Sequence, residues 1–207
     1  MDNRDKGATP ITESGLTFYF SDETIAIKFD DTDFYRNFFN KLPGGKGVDI
    51  VADSPDYFQF IEIKNCTGHE RENLWRTSVN NGMIRQAPAA NSDGDPRESL
   101  DWEIAKKVAS TISCFYGAWS KDMHTGTSAE LVPFWQKLIE SKIKKDKKQI
   151  RVILFLEGNF DAVGSRSKKM IMQRLESSIQ GKLSWLNCKV SVVDSTVCTD
   201  RFFCVSK

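Results

Sequence analysis

The chain has 207 residues, 40% of them hydrophobic, so it can bury a core and still be one domain, which we place at residues 1–207. No apolar run approaches the roughly 20 residues of a membrane helix, so we expect a cytoplasmic protein without membrane contact. The five cysteines are scattered and the two histidines are far apart, so neither a disulfide framework nor a zinc site is indicated. The net charge is +1, but the charges are unevenly distributed: residues 1–100 carry 11 basic and 17 acidic side chains, whereas residues 101–207 carry 18 basic and 11 acidic side chains. An acidic first half could bind a metal ion and a basic second half could bind phosphate.

The first third of the chain predicts strands around one short helix. Residues 1–15 read as a polar leader, and the alternating segments 16–20 and 24–29 read as a β-hairpin. A helix follows from the acidic start Asp30-Asp31-Thr32, and Pro43-Gly44-Gly45 ends it. Two further strands are expected at about 47–52 and 57–64.

The remainder predicts helices and strands in alternation after a poorly patterned stretch, in which residues 86–96 form a flexible loop. A long helix with an apolar stripe is expected at 97–119, and a near-continuous apolar strand at 150–157. Further helices are expected at 129–146 and 168–181, and further strands at 188–194 and 201–205. The order predicts an α/β fold with a mixed central β-sheet flanked by helices.

Three charged residues stand on the otherwise apolar strands of the second hairpin. Asp49 belongs to the first strand, and Glu62 and Lys64 to the second, where they share one face while Ile61 and Ile63 share the other. Charges in a half-buried place need partners, and a divalent cation is a natural partner for two carboxylates. The alternative is that Glu62 and Lys64 form an ion pair on an exposed strand, an arrangement that contributes little to stability.

An Asp on one strand followed by Glu-x-Lys on the next resembles the signature of the PD-(D/E)xK nuclease superfamily. Here the pattern is Val48-Asp49 and, thirteen residues on, Glu62-Ile63-Lys64. The resemblance covers roughly residues 30–65 and implies a restriction-endonuclease-like core. The sequence departs from the pattern at Val48, where the family motif has proline.

The resemblance also implies roles for these residues. Asp49, Glu62 and the backbone carbonyl of Ile63 would bind Mg²⁺ or Mn²⁺, and Asp49, Glu62 and Lys64 would be catalytic. Lys64 would orient or help to deprotonate the attacking water and would stabilise charge on the phosphate. A further metal ligand would come from Asp30, Asp31 or Asp33, of which we favour Asp31, with helix capping as the alternative role; Glu13 and Glu23 are weaker candidates.

Four lysines, Lys144, Lys145, Lys147 and Lys148, are the candidates for contact with a phosphate backbone, although such a run also suits a solvated helix end. Glu103 and Lys107 lie one turn apart on the long helix, and we expect an ordinary surface pair there rather than residues that line a site.

Together these features predict a Mg²⁺-dependent nuclease that hydrolyses phosphodiester bonds of DNA, or of RNA, in bacterial or phage defence or in DNA processing. A homodimer would place two sites on one duplex. The alternative function is a catalytically silent nuclease fold that serves as a binding subunit of a larger complex.

Overall fold

The computed structural model describes residues 10–88, 97–126, 128–139, 143, 147–196 and 203–206, apart from the side chains at 123 and 124. Eight strands are described: β1 (Ile11–Glu13), β2 (Leu16–Tyr19), β3 (Ile25–Lys28), β4 (Ile50–Asp53), β5 (Tyr57–Asn65), β6 (Gln149–Glu157), β7 (Cys188–Val193) and β8 (Cys204–Ser206). The α-helices are α1 (Asp33–Asn37), α2 (Glu70–Asn73), α3 (Leu100–Thr125), α4 (Val132–Ile139) and α5 (Lys168–Lys182).

Five strands form the central sheet in the order β3-β4-β5-β6-β7. The first three strands form an antiparallel meander, and β5, β6 and β7 run parallel to one another. The sheet is therefore mixed, as the sequence predicts. The apolar strand β6 lies inside it and is buried along residues 152–157, which explains why its sequence does not alternate.

The two faces of this sheet are covered differently. Helices α3, α4 and α5 pack on one face, where they contact apolar side chains such as Phe58 and Phe60 of β5. The other face, which includes Ile61 and Ile63, is covered by a small sheet of order β1-β2-β8. The residues of β5 therefore divide by parity between two separate cores, and Glu62 and Lys64 point toward the helices.

The predicted hairpin of residues 16–20 and 24–29 is wrong in its pairing, although both strands exist. Strand β2 pairs with β1 and β8, whereas β3 pairs with β4 at the edge of the central sheet. The reason is burial: Phe18 is fully buried between the two sheets when β2 belongs to the small sheet, and β3 then pairs within the large sheet. The predicted polar leader is too long at its end, since residues 11–13 form β1.

Helix α3 is longer than predicted and ends at Thr125, where Gly126 adopts a left-handed conformation (φ 61°). Helix α4 covers the start of the helix predicted at 129–146, and most of its remaining residues lie outside the described part of the chain. The loop predicted at 86–96 lies largely outside it too. None of the helices described here combines the length and apolarity needed to cross a membrane.

Candidate functional site

Asp49 lies where β4 separates from β5. Continuing the register from the Ile50–Ile61 pair places Asp49 opposite Glu62, on the same face of the hairpin. One residue earlier, the Val48 amide turns away and donates to the Thr111 hydroxyl on α3 at 3.0 Å. The Ile63 amide therefore loses its strand partner, and the Asp49 carboxylate accepts it instead, with Oδ2 at 2.7 Å.

Gly47 makes this path of the chain sterically feasible. A Cβ atom at position 47 would lie 2.4 Å from the Phe29 ring, which is fully buried. The Phe29 amide donates to the Asp49 carbonyl at 2.8 Å, which ties the end of β3 to the same point. The absence of a side chain at Gly47 thus lets Phe29 pack beneath Asp49 and fixes the position of its carboxylate.

Glu62 and Lys64 do form an ion pair, but the strand beneath them is not exposed. Glu62 is completely buried, and its Oε1 lies 2.6 Å from the Lys64 ammonium. The Lys64 ammonium also contacts the Glu103 carboxylate on α3 at 2.9 Å. The interpretation of Glu62 and Lys64 as an exposed surface pair is therefore wrong.

Glu103 and Lys107 are the residues whose role the sequence reasoning missed. Glu103 contacts Lys64 and also Arg76 at 2.5 Å, while the Lys107 ammonium lies 2.6 Å from Glu62 Oε1 and 3.4 Å from Asp49 Oδ1. The expected surface pair is therefore wrong, because both side chains face the hairpin. A signal was present: Glu103, Lys107 and the buried Thr111 are spaced by four, beside the apolar row of Ile104 and Val108.

These contacts form one charge network of alternating sign, balanced between three carboxylates and three cations. In order of contact, its members are Asp49, Lys107, Glu62, Lys64, Glu103 and Arg76. The network joins the hairpin, α3 and the segment after α2. Its charged groups other than Glu62 are each 13–24% exposed, so it lies at the edge of the sheet rather than in the centre of the core.

Burial and the network act in opposite directions on the acids. Burial raises the pKa of Glu62 and of Asp49, and the ammonium groups of Lys64 and Lys107 only partly oppose that rise. Burial would also raise the pKa of Glu103, but Lys64, Arg76 and Lys107 outweigh it and hold that pKa at about 2. Burial therefore dominates the pKa of Asp49 and of Glu62, whereas the neighbouring cations dominate the pKa of Glu103.

Burial lowers the pKa of the Lys64 ammonium, yet the carboxylates of Glu62, Glu103 and Asp49 outweigh it and hold that pKa above its usual value. Lys107 behaves in the same way, with Glu62 as the largest opposing influence on its pKa. Both lysines are therefore protonated at neutral pH in this arrangement. Each can donate hydrogen bonds and supply positive charge, but neither can accept a proton from water.

The donor set at Asp49 and Glu62 fits a hard divalent cation. Both side chains offer carboxylate oxygens, and Glu62 Oε2 is buried without a hydrogen-bond partner among the described residues. The Ile63 amide already faces Asp49, and the carbonyl of a strand residue points to the same side as its amide, so the Ile63 carbonyl faces Asp49 as well. Within the described ranges no group of three His, Cys, Asp or Glu side chains is placed to hold a metal ion.

Asp31, the candidate further ligand, contacts Arg36 and lies 3.5 Å from Lys28, and its side chain is 47% exposed. Its metal role stays a prediction. Glu13 pairs with Lys28 at 3.0 Å and, after burial as the larger cause, contributes to raising the pKa of Asp49. A tight turn at Ser14-Gly15 follows it, and the Asn65 side chain donates to the Ser14 carbonyl at 2.9 Å.

Two of the lysines proposed for nucleic-acid contact, Lys147 and Lys148, are described, and they lie at the other end of the sheet. Lys148 contacts Asp53, at the far end of β4, at 2.6 Å and has a side chain only 9% exposed. Lys147 is exposed, and Lys144 and Lys145 lie outside the described residues. Strand β5 extends about 23 Å from Tyr57, beside the start of β6, to Lys64. The structure therefore does not bring Lys147 or Lys148 to the charge network.

No curated protein and no solved structure matches this chain significantly. A family profile matches residues 32–207, a range that contains the whole charge network but not Glu13 or Lys28. The chain therefore belongs to DUF6661, a family of unknown function.

Proposed function

We propose that the protein is a metal-dependent nuclease with its active site at Asp49, Glu62 and Lys64, on a restriction-endonuclease-like core. The observation that carries the proposal is the pair of facing carboxylates on adjacent strands, one with a buried oxygen, Glu62 Oε2, that lacks a partner among the described residues. A lysine two residues beyond Glu62 contacts the same carboxylate. A surface ion pair does not need this arrangement, whereas metal-assisted phosphodiester hydrolysis uses carboxylates of this kind to hold its cation.

The residues of the site would have distinct roles in this reaction. Asp49, Glu62 and the Ile63 carbonyl would hold the cation at the edge of the sheet, with Asp49 already oriented by the Ile63 amide. When bound, Mg²⁺ supplies positive charge against the phosphoryl oxygens and acidifies water, which are the two requirements of this hydrolysis. The partial exposure of Asp49 and Lys64 leaves room for a phosphate to approach.

Lys64 acts as a fixed cation in this scheme. Glu62 and Glu103 hold its ammonium from two sides, which orients it along the strand edge. Because it is protonated, it donates a hydrogen bond to water or to a phosphate oxygen and stabilises the charge that develops there. Removal of a proton from water by Lys64, the other role expected from the sequence, is disfavoured by the same contacts.

Cleavage of plasmid DNA and of RNA in Mg²⁺ or Mn²⁺ tests the proposal with the variants Asp49→Asn, Glu62→Gln and Lys64→Ala. We expect each to lower the rate by about 100-fold or more, because each removes a charge that acts at the reacting phosphate. Glu72→Gln, a 69% exposed acid near the end of β5, is the matched control and should cut at the parental rate. Parental rates in all three site variants would sink the assignment.

A catalytically silent binding subunit remains the second candidate, and one observation favours it. The charge network is balanced without a metal, so the fold can keep these residues for stability alone. Stable hetero-assembly of the protein, together with no cleavage in any divalent metal, would select this function instead.

A further inference from the structure

Lys107 occupies the place that the proposed metal needs. Its ammonium contacts Glu62 Oε1 at 2.6 Å and Asp49 Oδ1 at 3.4 Å, so it bridges the two carboxylates that would be the metal ligands. A divalent cation bound by the same two carboxylates would lie within a few ångströms of this ammonium, where like charges repel strongly in a poorly hydrated place. The two cations therefore compete for one position.

The two lysines of the site differ in what else holds them. Lys64 keeps a second anion, Glu103, when Glu62 turns to another partner. The ammonium of Lys107 has only Asp49 and Glu62 as partners among the described residues. Lys107 is thus the lysine that is free to leave, and its long flexible side chain begins on a helix at the rim of the site.

We propose that Lys107 is a built-in counter-cation that neutralises Asp49 and Glu62 until a divalent metal displaces it, and that it thereby lowers the metal affinity of the site. This inference rests on the proposed metal-dependent function. It goes further by stating that metal entry is an exchange of cations, so that the protein without metal is stable and metal binding is weak. Lys107, once displaced, is available to a substrate phosphate at the same edge.

Mn²⁺ binding to the full chain, measured by calorimetry without nucleic acid, tests the exchange with Lys107→Met. This variant keeps the apolar stem and removes the charge, so Mn²⁺ should bind about tenfold tighter or more than to the parent. Its melting temperature should fall in EDTA and recover on adding Mn²⁺, because two buried carboxylates then depend on the metal. Lys106→Met is the matched control, since Lys106 is 59% exposed and contacts Glu98 instead, and it should match the parent.

A measurement on the parent protein covers the case in which Lys107→Met does not fold. Acylation of lysines, followed by mass spectrometry, should modify Lys107 several-fold faster in saturating Mg²⁺ than in EDTA, with Lys106 unchanged. Unchanged acylation of Lys107, or Mn²⁺ binding to Lys107→Met that is no tighter than to the parent, would overturn the inference. If the parent still cleaves nucleic acid, the nuclease proposal survives that result; tighter Mn²⁺ binding without any cleavage would reject the nuclease proposal alone.

Discussion

At the scale of single residues, Glu103 shows how neighbouring charges decide the state of an acid. It lies on α3 and faces the same edge of the sheet as Glu62, but the charges of three cations keep its pKa at about 2. Glu62 contacts two ammonium groups and is still dominated by burial, which raises its pKa. The difference follows from depth, since Glu62 has no exposed surface and Glu103 is 23% exposed.

This difference predicts that the stabilising effect of Glu103 on the protein depends on pH. The pKa of Glu103 is lower in the folded than in the unfolded protein, so its contribution to the free energy of unfolding is present above about pH 4.5 and is lost as the pH falls toward 2. The contribution at neutral pH is on the order of 3 kcal/mol at most, and less than half should remain at pH 3. Urea unfolding of the parent and of Glu103→Gln at pH 7, 5 and 3 measures it.

The comparison isolates Glu103 because the raised pKa values of Asp49 and Glu62 act in the opposite sense in both proteins. Glu98→Gln serves as the control, since its partner Lys106 is exposed. A stability difference between the parent and Glu103→Gln that stays constant from pH 7 to pH 3 would contradict the assignment of Glu103 as a strongly paired carboxylate.

At the scale of elements, the separation of β4 from β5 creates the site. The ladder stops because the Val48 amide bonds to α3, and the Asp49 carboxylate replaces the missing strand partner of Ile63. A side chain at position 47 would clash with the Phe29 ring. The geometry proposed for the active site thus depends on the packing of Phe29 against Gly47.

Gly47→Ala should therefore destabilise the protein by about 1–3 kcal/mol, the usual effect of overpacking a core, and should lower activity by moving Asp49. Thermal unfolding and the cleavage assay measure the two effects. Gly117→Ala on α3 is the matched control, because nothing lies within 4 Å of its added Cβ and alanine favours a helix. Equal melting temperatures for the two variants would show that Phe29 yields at no cost.

At the scale of the whole molecule, Lys147 and Lys148 lie at one end of β5 and the charge network lies at the other. Both lysines directly precede Gln149, the partner of Tyr57, and the network surrounds Lys64, about 23 Å from Tyr57 along the strand. A duplex that touches both ends must lie along this edge of the molecule. Lys148 cannot take part without leaving Asp53, whereas Lys147 is exposed.

Lys147→Ala should consequently weaken binding to duplex DNA and reduce the slope of log affinity against log salt by about 1, the effect of losing one phosphate contact. The melting temperature should not change. Lys189→Ala, an exposed lysine on β7, is the control and should leave the slope unchanged. An unaltered slope in Lys147→Ala would exclude this residue from the nucleic-acid interface.

The elements were predictable where the signal is local. The strands β4 and β5 follow from their alternation, β6 from its continuous apolar run and the helix α3 from its periodicity, all of which a short window of sequence contains. The pairing of the strands was not predictable, because β2 joins the small sheet through the burial of Phe18 by residues far away in the chain.

The same distinction applies to the site. Asp49, Glu62 and Lys64 share one hairpin, so local alternation places them together. Glu103 and Lys107 could be read equally well as an exposed pair, since an i,i+4 spacing fits either side of a helix. Only the docking of α3 on the sheet shows which way they point.

That docking also limits when the site can exist. The β3-β4-β5 meander joins neighbouring segments and can form early, whereas Lys107 meets Asp49 across 58 residues and Thr111 meets Val48 across 63. Until α3 arrives, Glu62 stays hydrated and Asp49 lacks its fixed direction. A partly synthesised or partly unfolded chain therefore contains the motif without the site, and any chemistry at this edge is confined to the completed fold.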